Sequence, residues 1–269
     1  MHSRDGKEGR ASCPAFLRLR PSFGPACSTP SSRRPDLGHL AGPQTCLSLW
    51  RPVWPAREEH GLSAQRDPDS SRTRRTVLHV GCGTYAPEKL HPAFRDGSWQ
   101  EIRMDLDPRT KPDLVGSMTD LSAFGDGTVG AVWSAHNIEH LHDHEVPVAF
   151  REFRRVLDRD GYALITTPDL AAVAGLVVNG QLEAPAYHSP AGPITALDML
   201  FGHRASIRSG FDLMAHRTAF TAERLVRLLL EAGFPKVLVR RGLRYDLWAV
   251  ALASETSQDD AFADLIRES

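Results

Sequence analysis

Five short apolar runs crowd into residues 76–167: "TVLHV" (76–80), "EIRMD" (101–105), "DLV" (113–115), "VGAVWS" (129–134) and "GYALITT" (161–167). Runs of this length, broken by turn residues and by longer connections, read as strands of a parallel sheet with crossovers. Between the last two, "EVPVAFREFRRVLDRDG" sets Val148, Phe150, Phe153, Val156 and Leu157 at helical spacing and predicts a crossover helix that stops at Gly161. A second apolar helix is expected over 169–178, and a third in "TAERLVRLLLEAGF", from an N-cap at Thr221 to a stop at Gly233. "KVLVRRG" and "YDLWAVALA" follow as two strands joined by a turn at 242–245, close enough in sequence to pair antiparallel. The pattern predicts an α/β fold: a seven-stranded, mostly parallel sheet with an antiparallel C-terminal edge strand and helices on both faces.

The first 75 residues read differently. They hold nine of the 19 prolines and 13 Lys+Arg against 7 Asp+Glu, with no sustained period of two or 3.6. Residues 1–74 are therefore expected to be a disordered basic extension carrying none of the chemistry. Its acid-free, Arg- and Ser-rich stretch between Glu8 and Asp36 is like an organelle transit peptide, but prolines 14, 21, 25 and 30 would break the amphipathic helix such a peptide needs. The folded domain is placed at 75–255, with an insertion at 180–220 and a C-terminal helix or tail at 256–269. The longest apolar run, Leu170 to Val178, is about half of the ~20 residues a membrane helix requires, so no membrane span is expected. The cysteines at 13, 27, 46 and 82 form no C-x-x-C pair, and a reducing, cytoplasmic setting is the simpler expectation.

"HVGCGTYA" sets Gly81 and Gly83 directly after the first strand, where a loop approaches a ligand and a Cβ is costly. Gly81-x-Gly83-x-x-Ala86 satisfies the dinucleotide pattern, and Asp105 lies about 20 residues on, at the end of the second strand. A carboxylate there grips two ribose hydroxyls, which suits NAD and S-adenosylmethionine alike. An NAD-dependent oxidoreductase is thus one candidate from the residues alone.

Further along, the chain resembles class I S-adenosylmethionine-dependent methyltransferases, of the small-molecule, type 11-like kind, at successive stations. "VLHVGCGT" is similar to their first motif, "IRMDLDP" to the second, "VGSMTDLSAF" to the adenine-contacting loop and "GAVWSAHNIEHL" to the fourth strand and its active-site edge. "FREFRRVLDRDGYALITTPD" continues the likeness, which spans about 75 to 255. The resemblance implies a Rossmann-like sheet, S-adenosylmethionine as cofactor, and contacts to it from Gly81, Cys82, Gly83, Asp105 (ribose), Leu106, Ser117, Met118 and His136. Two departures stand out: His79 replaces the family's usual acid, and Tyr85 replaces a frequent third glycine. A catalytically silent cofactor-binding protein is the alternative these departures favour.

"HNIEHLHDHE" begins with H-x-x-E-H, the zinc-helix signature of one peptidase class. Here it follows strand four directly, on the rim where open parallel sheets bind ligands, so no peptidase and no metal are expected. His136 and His140 are instead candidate bases or acceptor-positioning groups, with Glu139 beside them; helix capping by Glu139 and His140 is the alternative. His142 and His144 read as a solvated face. In the insertion, Tyr187, His188, His203, Arg204, His216 and Arg217 are candidate substrate contacts. Their His-Arg pairs suit an anionic acceptor, or else bonds that lock a long loop. The acceptor is expected to be a small molecule, since residues 76–269 carry 19 Lys+Arg against 26 Asp+Glu, a balance that repels nucleic acid. No membrane partner is expected, and the oligomeric state is not legible.

Overall fold

The computed structural model describes residues 74–255 together with 262, 265 and 266. The basic extension expected over 1–74 lies outside these residues except for Arg74. Of the C-terminal helix or tail, Phe262 and Leu265 are helical and the remainder beyond 255, apart from Ile266, falls outside as well.

The strands are β1 (Arg75–Val80), β2 (Trp99–Asp105), β3 (Leu114–Val115) and β4 (Val129–Ala135); then α1 (Val146–Val156) leads to β5 (Leu157–Pro168). After α2 (Leu170–Val178) the insertion supplies a hairpin, β6 (Pro185–Ser189) and β7 (Gly192–Thr195), and two short helices, α3 (Ala196–Phe201) and α4 (Arg204–Arg208). Helix α5 (Ala222–Glu231) then carries the chain to β8 (Lys236–Arg241) and β9 (Asp246–Leu252). The main sheet has seven strands in the order β3-β2-β1-β4-β5-β9-β8. Only β9 runs against its neighbours, pairing antiparallel with both β5 and β8.

The antiparallel element is thus at the expected end of the sheet, but one strand in: the outer edge is β8. Helix α5 delivers β8 beyond β5 with a gap left between them, and the turn at 242–245, with Tyr245 at φ 60°, returns β9 into that gap.

Side chains alternate across the sheet as a two-residue period requires. Leu78, Val80, Val132 and Ile165 point to one face, where they meet Phe150 and Phe153 of α1 and Leu225 and Leu229 of α5. Burying each of those two phenylalanines is worth about 2–3 kcal/mol. Val77, Trp133, Tyr162 and Leu164 point to the other face. No α-helix lies between β1 and β2; the 3-10 turns Pro87–Lys89 and Pro92–Phe94 bring Leu90 and Phe94 onto that face, joined by Phe262, Leu265 and Ile266.

One local expectation is corrected. Helix α1 ends at Val156, not at Gly161, because the chain passes straight into β5 at Leu157 and pairs with Val129 across a register irregularity. Gly161 sits in the strand, where a Cβ would come within 3.1 Å of the Asp158 carbonyl oxygen. The insertion is built from the β6–β7 hairpin and the helices α3 and α4. Helix α3 begins with a capping box in which Thr195 and Asp198 bond each other's backbone N–H groups.

Candidate functional site

Every group of interest sits at the carboxyl ends of β1, β2, β4 and β5, where the strands release their chain into loops. On the β1–β2 side the loop is shaped by its backbone. Gly81 and Gly83 adopt φ 60° and 61°, values that penalise any residue with a Cβ. Gly83 N–H donates to Asp105 Oδ2 at 2.7 Å and Asp107 N–H donates to Oδ1 at 2.8 Å, so the Asp105 carboxylate ties the glycine loop to the turn after β2. Each oxygen keeps a further lone pair for a ligand hydroxyl. Leu106 beside it is 51% exposed, an apolar surface facing outward at the strand end. Ser117 and Met118 are half-buried on the loop after β3; Ser117 Oγ lies 2.7 Å from Thr119 Oγ1, and Met118 leans on the core. Cys82 is buried, and burial pushes its thiol up.

The close approach at Gly81 is by the protein itself. Asn137 Nδ2 donates to Val80 O at 3.0 Å and to Ala135 O at 2.9 Å, bridging the ends of β1 and β4, and a Cβ at Gly81 would overlap its amide. A ligand approaching this loop therefore does so at Gly83 and Asp105. The departures from the family pattern also find partners. His79 Nδ1 lies 2.7 Å from Glu101 Oε1 on β2, so a carboxylate is restored next to the position where the family carries one. Burial pushes the His79 imidazole down despite that partner. Tyr85 is exposed, with the Arg103 guanidinium 5.4 Å from its ring centroid.

On the β4–β5 side the site is made of side chains, a buried carboxylate among partly exposed imidazoles. His136 leaves β4 at φ 52°, held by donation of its N–H to Thr166 O at 3.0 Å. A left-handed conformation at a non-glycine residue costs about 1–2 kcal/mol, which this anchoring sustains. The next residues form a 3-10 turn, Ile138–His140, so the H-x-x-E-H letters lie on a strand end and a tight turn, without the helix a zinc peptidase requires. Glu139 is 1% exposed. Thr167 Oγ1 donates to its Oε2 at 3.0 Å, while Oε1 is buried without a hydrogen-bond partner, 3.5 Å from His136 Nδ1. Burial would raise this carboxyl, but His136, His140 and His216 around it hold it below the usual carboxylate range.

The insertion closes over these groups. Arg217 and Thr218 donate their backbone N–H groups to Glu139 O at 2.8 and 3.2 Å, which brings His216 beside His140, ring centroids 4.9 Å apart. A cavity of about 120 Å³ opens here, lined by His136, Glu139, His140, Tyr187, His203 and His216, with Asp198, Arg244 and Tyr245 among its further walls. Of the expected substrate contacts, Tyr187, His203 and His216 line it together with Glu139. His188 is exposed on the hairpin, and Arg204 is spent on Asp198 and the Thr195 hydroxyl, locking α3 to α4. Arg217 contributes its backbone, with an exposed side chain. The arginine that does reach the cavity, Arg244, comes from the β8–β9 turn, which the sequence reading assigned no role. The Arg109 guanidinium also lies 4.7 Å from the Phe211 ring centroid, joining the loop after β2 to the insertion.

Residues 78–165 match the methyltransferase-domain family. The matched segment runs from β1 through β5 and includes the glycine loop, Asp105 and the His136–His140 turn. No curated protein matches the chain at a significant level. Among solved structures, an S-adenosylmethionine-dependent methyltransferase from Archaeoglobus fulgidus is similar at 14% identity and TM-score 0.45, over 67% of this chain and 87% of that one. The Burkholderia thailandensis 1,6-didemethyltoxoflavin-N1-methyltransferase, solved with 1,6-didemethyltoxoflavin and S-adenosylhomocysteine, is similar at 17% identity and TM-score 0.44, over 68% and 72%. The methyltransferase domain of the citrinin polyketide synthase shows 15% identity and TM-score 0.45 over 69% of this chain, which spans about half (48%) of that chain's length. The fold of this chain rests on its own strand order, β3-β2-β1-β4-β5-β9-β8. Among its described residues no helix is long and apolar enough to cross a membrane.

Proposed function

We propose that this domain transfers a methyl group from S-adenosylmethionine to a small-molecule acceptor held in the cavity under the insertion. The observation that carries the reading is one of placement. A ribose-competent carboxylate on a glycine loop and a half-open cavity walled by four histidines and Glu139 share the same strand-end rim, separated by the β4 end that bears His136.

The residues present fit the cofactor. Asp105 has acceptor capacity left after its backbone bonds, Leu106 offers an exposed apolar surface for a purine ring, and Ser117 and Met118 flank it from the next loop. Gly83 and the buried Cys82 support the loop, and Gly81 serves by admitting Asn137. When bound, S-adenosylmethionine supplies an activated methyl group on a sulfonium, a good leaving group. The protein then has to orient the acceptor, exclude water and remove a proton. Half of the His136 side chain is exposed on the rim and its ring stands beside Glu139, so it is the group able to take a proton from an acceptor hydroxyl, thiol or amine. Tyr187 and His203, opposite, can hydrogen-bond the acceptor's polar groups. The cavity volume favours a small acceptor, and the acidic balance of residues 76–269 disfavours nucleic acid.

Calorimetric titration of the full chain with S-adenosylmethionine, S-adenosylhomocysteine and NAD tests this reading. Binding of the first two without NAD is expected; NAD binding alone would overturn the reading in favour of an oxidoreductase. Binding without turnover across an acceptor screen would favour a silent binding protein.

A further inference from the structure

The buried carboxylate of Glu139 poses a question that methyl transfer does not answer. An ionised group with one oxygen buried and unbonded costs several kcal/mol unless something cationic faces it. Its Oε1 has no hydrogen-bond partner and stands 3.5 Å from His136 Nδ1, beyond bonding reach, although Thr167 fixes the other oxygen. Around it, Glu139, His140 and His216 each bring one ligand-type atom within 4.8 Å of the others.

The two imidazoles are also oriented from behind. His140 Nδ1 lies 3.1 Å from Ala215 O and His216 Nδ1 lies 2.9 Å from Met199 O. A carbonyl oxygen only accepts, so Nδ1 of each ring carries the proton and the lone pair is left on Nε2. A backbone carbonyl that pins one ring nitrogen so that the other faces a metal is the usual outer partner of a metal-ligating histidine. We propose that Glu139, His140 and His216 bind one divalent transition-metal ion of the zinc type, through one carboxylate oxygen and two imidazole nitrogens. Two nitrogens and one oxygen suit zinc or cobalt over magnesium or calcium, which take oxygen ligands.

This ligand set is not the one the H-x-x-E-H letters suggest. The second imidazole comes from His216 on the insertion, across the fold, and His136, 3.5 Å from Glu139 Oε1, stays outside the ligand set as a base. Metal–ligand bonds of about 2.0–2.2 Å place ligand atoms of a tetrahedral site about 3.3 Å apart, so no pair has to close by more than roughly 1.5 Å when the ion enters. The remaining coordination position faces the cavity that holds Tyr187 and His203. There the ion takes water or an oxygen, nitrogen or sulfur of the acceptor and eases loss of its proton to His136. That role rests on the methyl-transfer reading; ion binding itself does not.

The test is a Co2+ titration of the full chain, expressed without a polyhistidine tag and stripped with chelator, read by visible d–d absorption and followed by displacement with Zn2+. One equivalent of Co2+ with intense low-symmetry bands is expected. Glu139→Gln and His216→Ala are expected to weaken uptake at least ~100-fold, beyond the 10–100-fold that loss of an outer partner brings. The double variant His142→Ala/His144→Ala, at the exposed stacked pair, is expected to leave uptake unchanged. No stoichiometric uptake by the parent would overturn the proposal, as would unchanged affinity in folded Glu139→Gln or loss of uptake in the His142/His144 variant. Should His216→Ala unfold by circular dichroism, the nearly isosteric Glu139→Gln decides. S-adenosylmethionine affinity measured on the same samples separates the two readings: cofactor binding without Co2+ uptake removes the metal site alone, and Co2+ uptake without cofactor binding removes methyl transfer alone.

Discussion

At the ends of β1 and β2 the protein presents main chain and one carboxylate; at the ends of β4 and β5 it presents partly exposed imidazoles around a buried glutamate. The first half of the rim is assembled from residues 81–118, nearly contiguous in sequence, and its bonds run between a strand and the loop beside it. The second needs segments near 136–140, 167, 187–218 and 244 to meet, and its bonds span up to 79 residues. A loop that serves any nucleoside can be local and open, whereas a pocket that selects an acceptor has to be enclosed and is therefore long-range.

That contrast breaks if substitutions on one side disturb the other. The largest effect expected is on turnover: His136→Ala should lower kcat by about 10²–10⁴, as removal of a general base does, with urea stability of the glycine-loop half unchanged. Next, Gly81→Ala combines left-handed strain with overlap on the Asn137 amide and should cost about 3 kcal/mol in urea unfolding. Because Asn137 belongs to the β4 end, this is the one substitution expected to cross the divide. Asp105→Ala should weaken S-adenosylmethionine binding by roughly 1.5–3 kcal/mol, from lost charge-assisted hydrogen bonds, while Co2+ uptake stays intact.

The smallest effect concerns acid stability of the insertion. Burial would raise the Asp198 carboxyl, but hydrogen bonds from Thr195 and Arg204 overcome it and hold it at about 2. A carboxyl lowered in the folded state stabilises above its unfolded value, near 4, and that contribution is lost as pH falls from there through about 2. We expect the urea midpoint of the parent to drop over this window by the equivalent of about 1–2 kcal/mol more than that of Asp198→Asn. Parallel curves would place the stability of the insertion elsewhere.

What was legible in the sequence follows the same division. The strand β1, the paired glycines and Asp105 show themselves in order, because local turn chemistry and a two-residue period dictate them. The crossover helix was legible too, through Phe150 and Phe153, though its end was misplaced: Gly161 looks like a helix stop and is a strand glycine crowded by Asp158. Asn137 over Gly81, Glu101 beside His79 and Arg244 in the cavity each depend on pairings between distant segments, which no periodicity encodes. The insertion hid its hairpin because Pro185 and Pro193 mask the alternation, although the Thr195-x-x-Asp198 box was a readable sign of α3.

The position of β9 has a consequence for assembly. As the chain is synthesised, β8 emerges with no strand to pair with, and β5 waits with an open edge, until residues 246–252 arrive to be inserted between them. Thr167 and Pro168, which register against Leu247 and Asp246, gain a sheet partner only at this last step, whereas Thr166 is already paired with Ala135 of β4. The wall that orients Glu139 is finished after the glycine loop and Asp105, so an arrested or truncated chain would be expected to keep an ordered nucleoside half and a molten acceptor half.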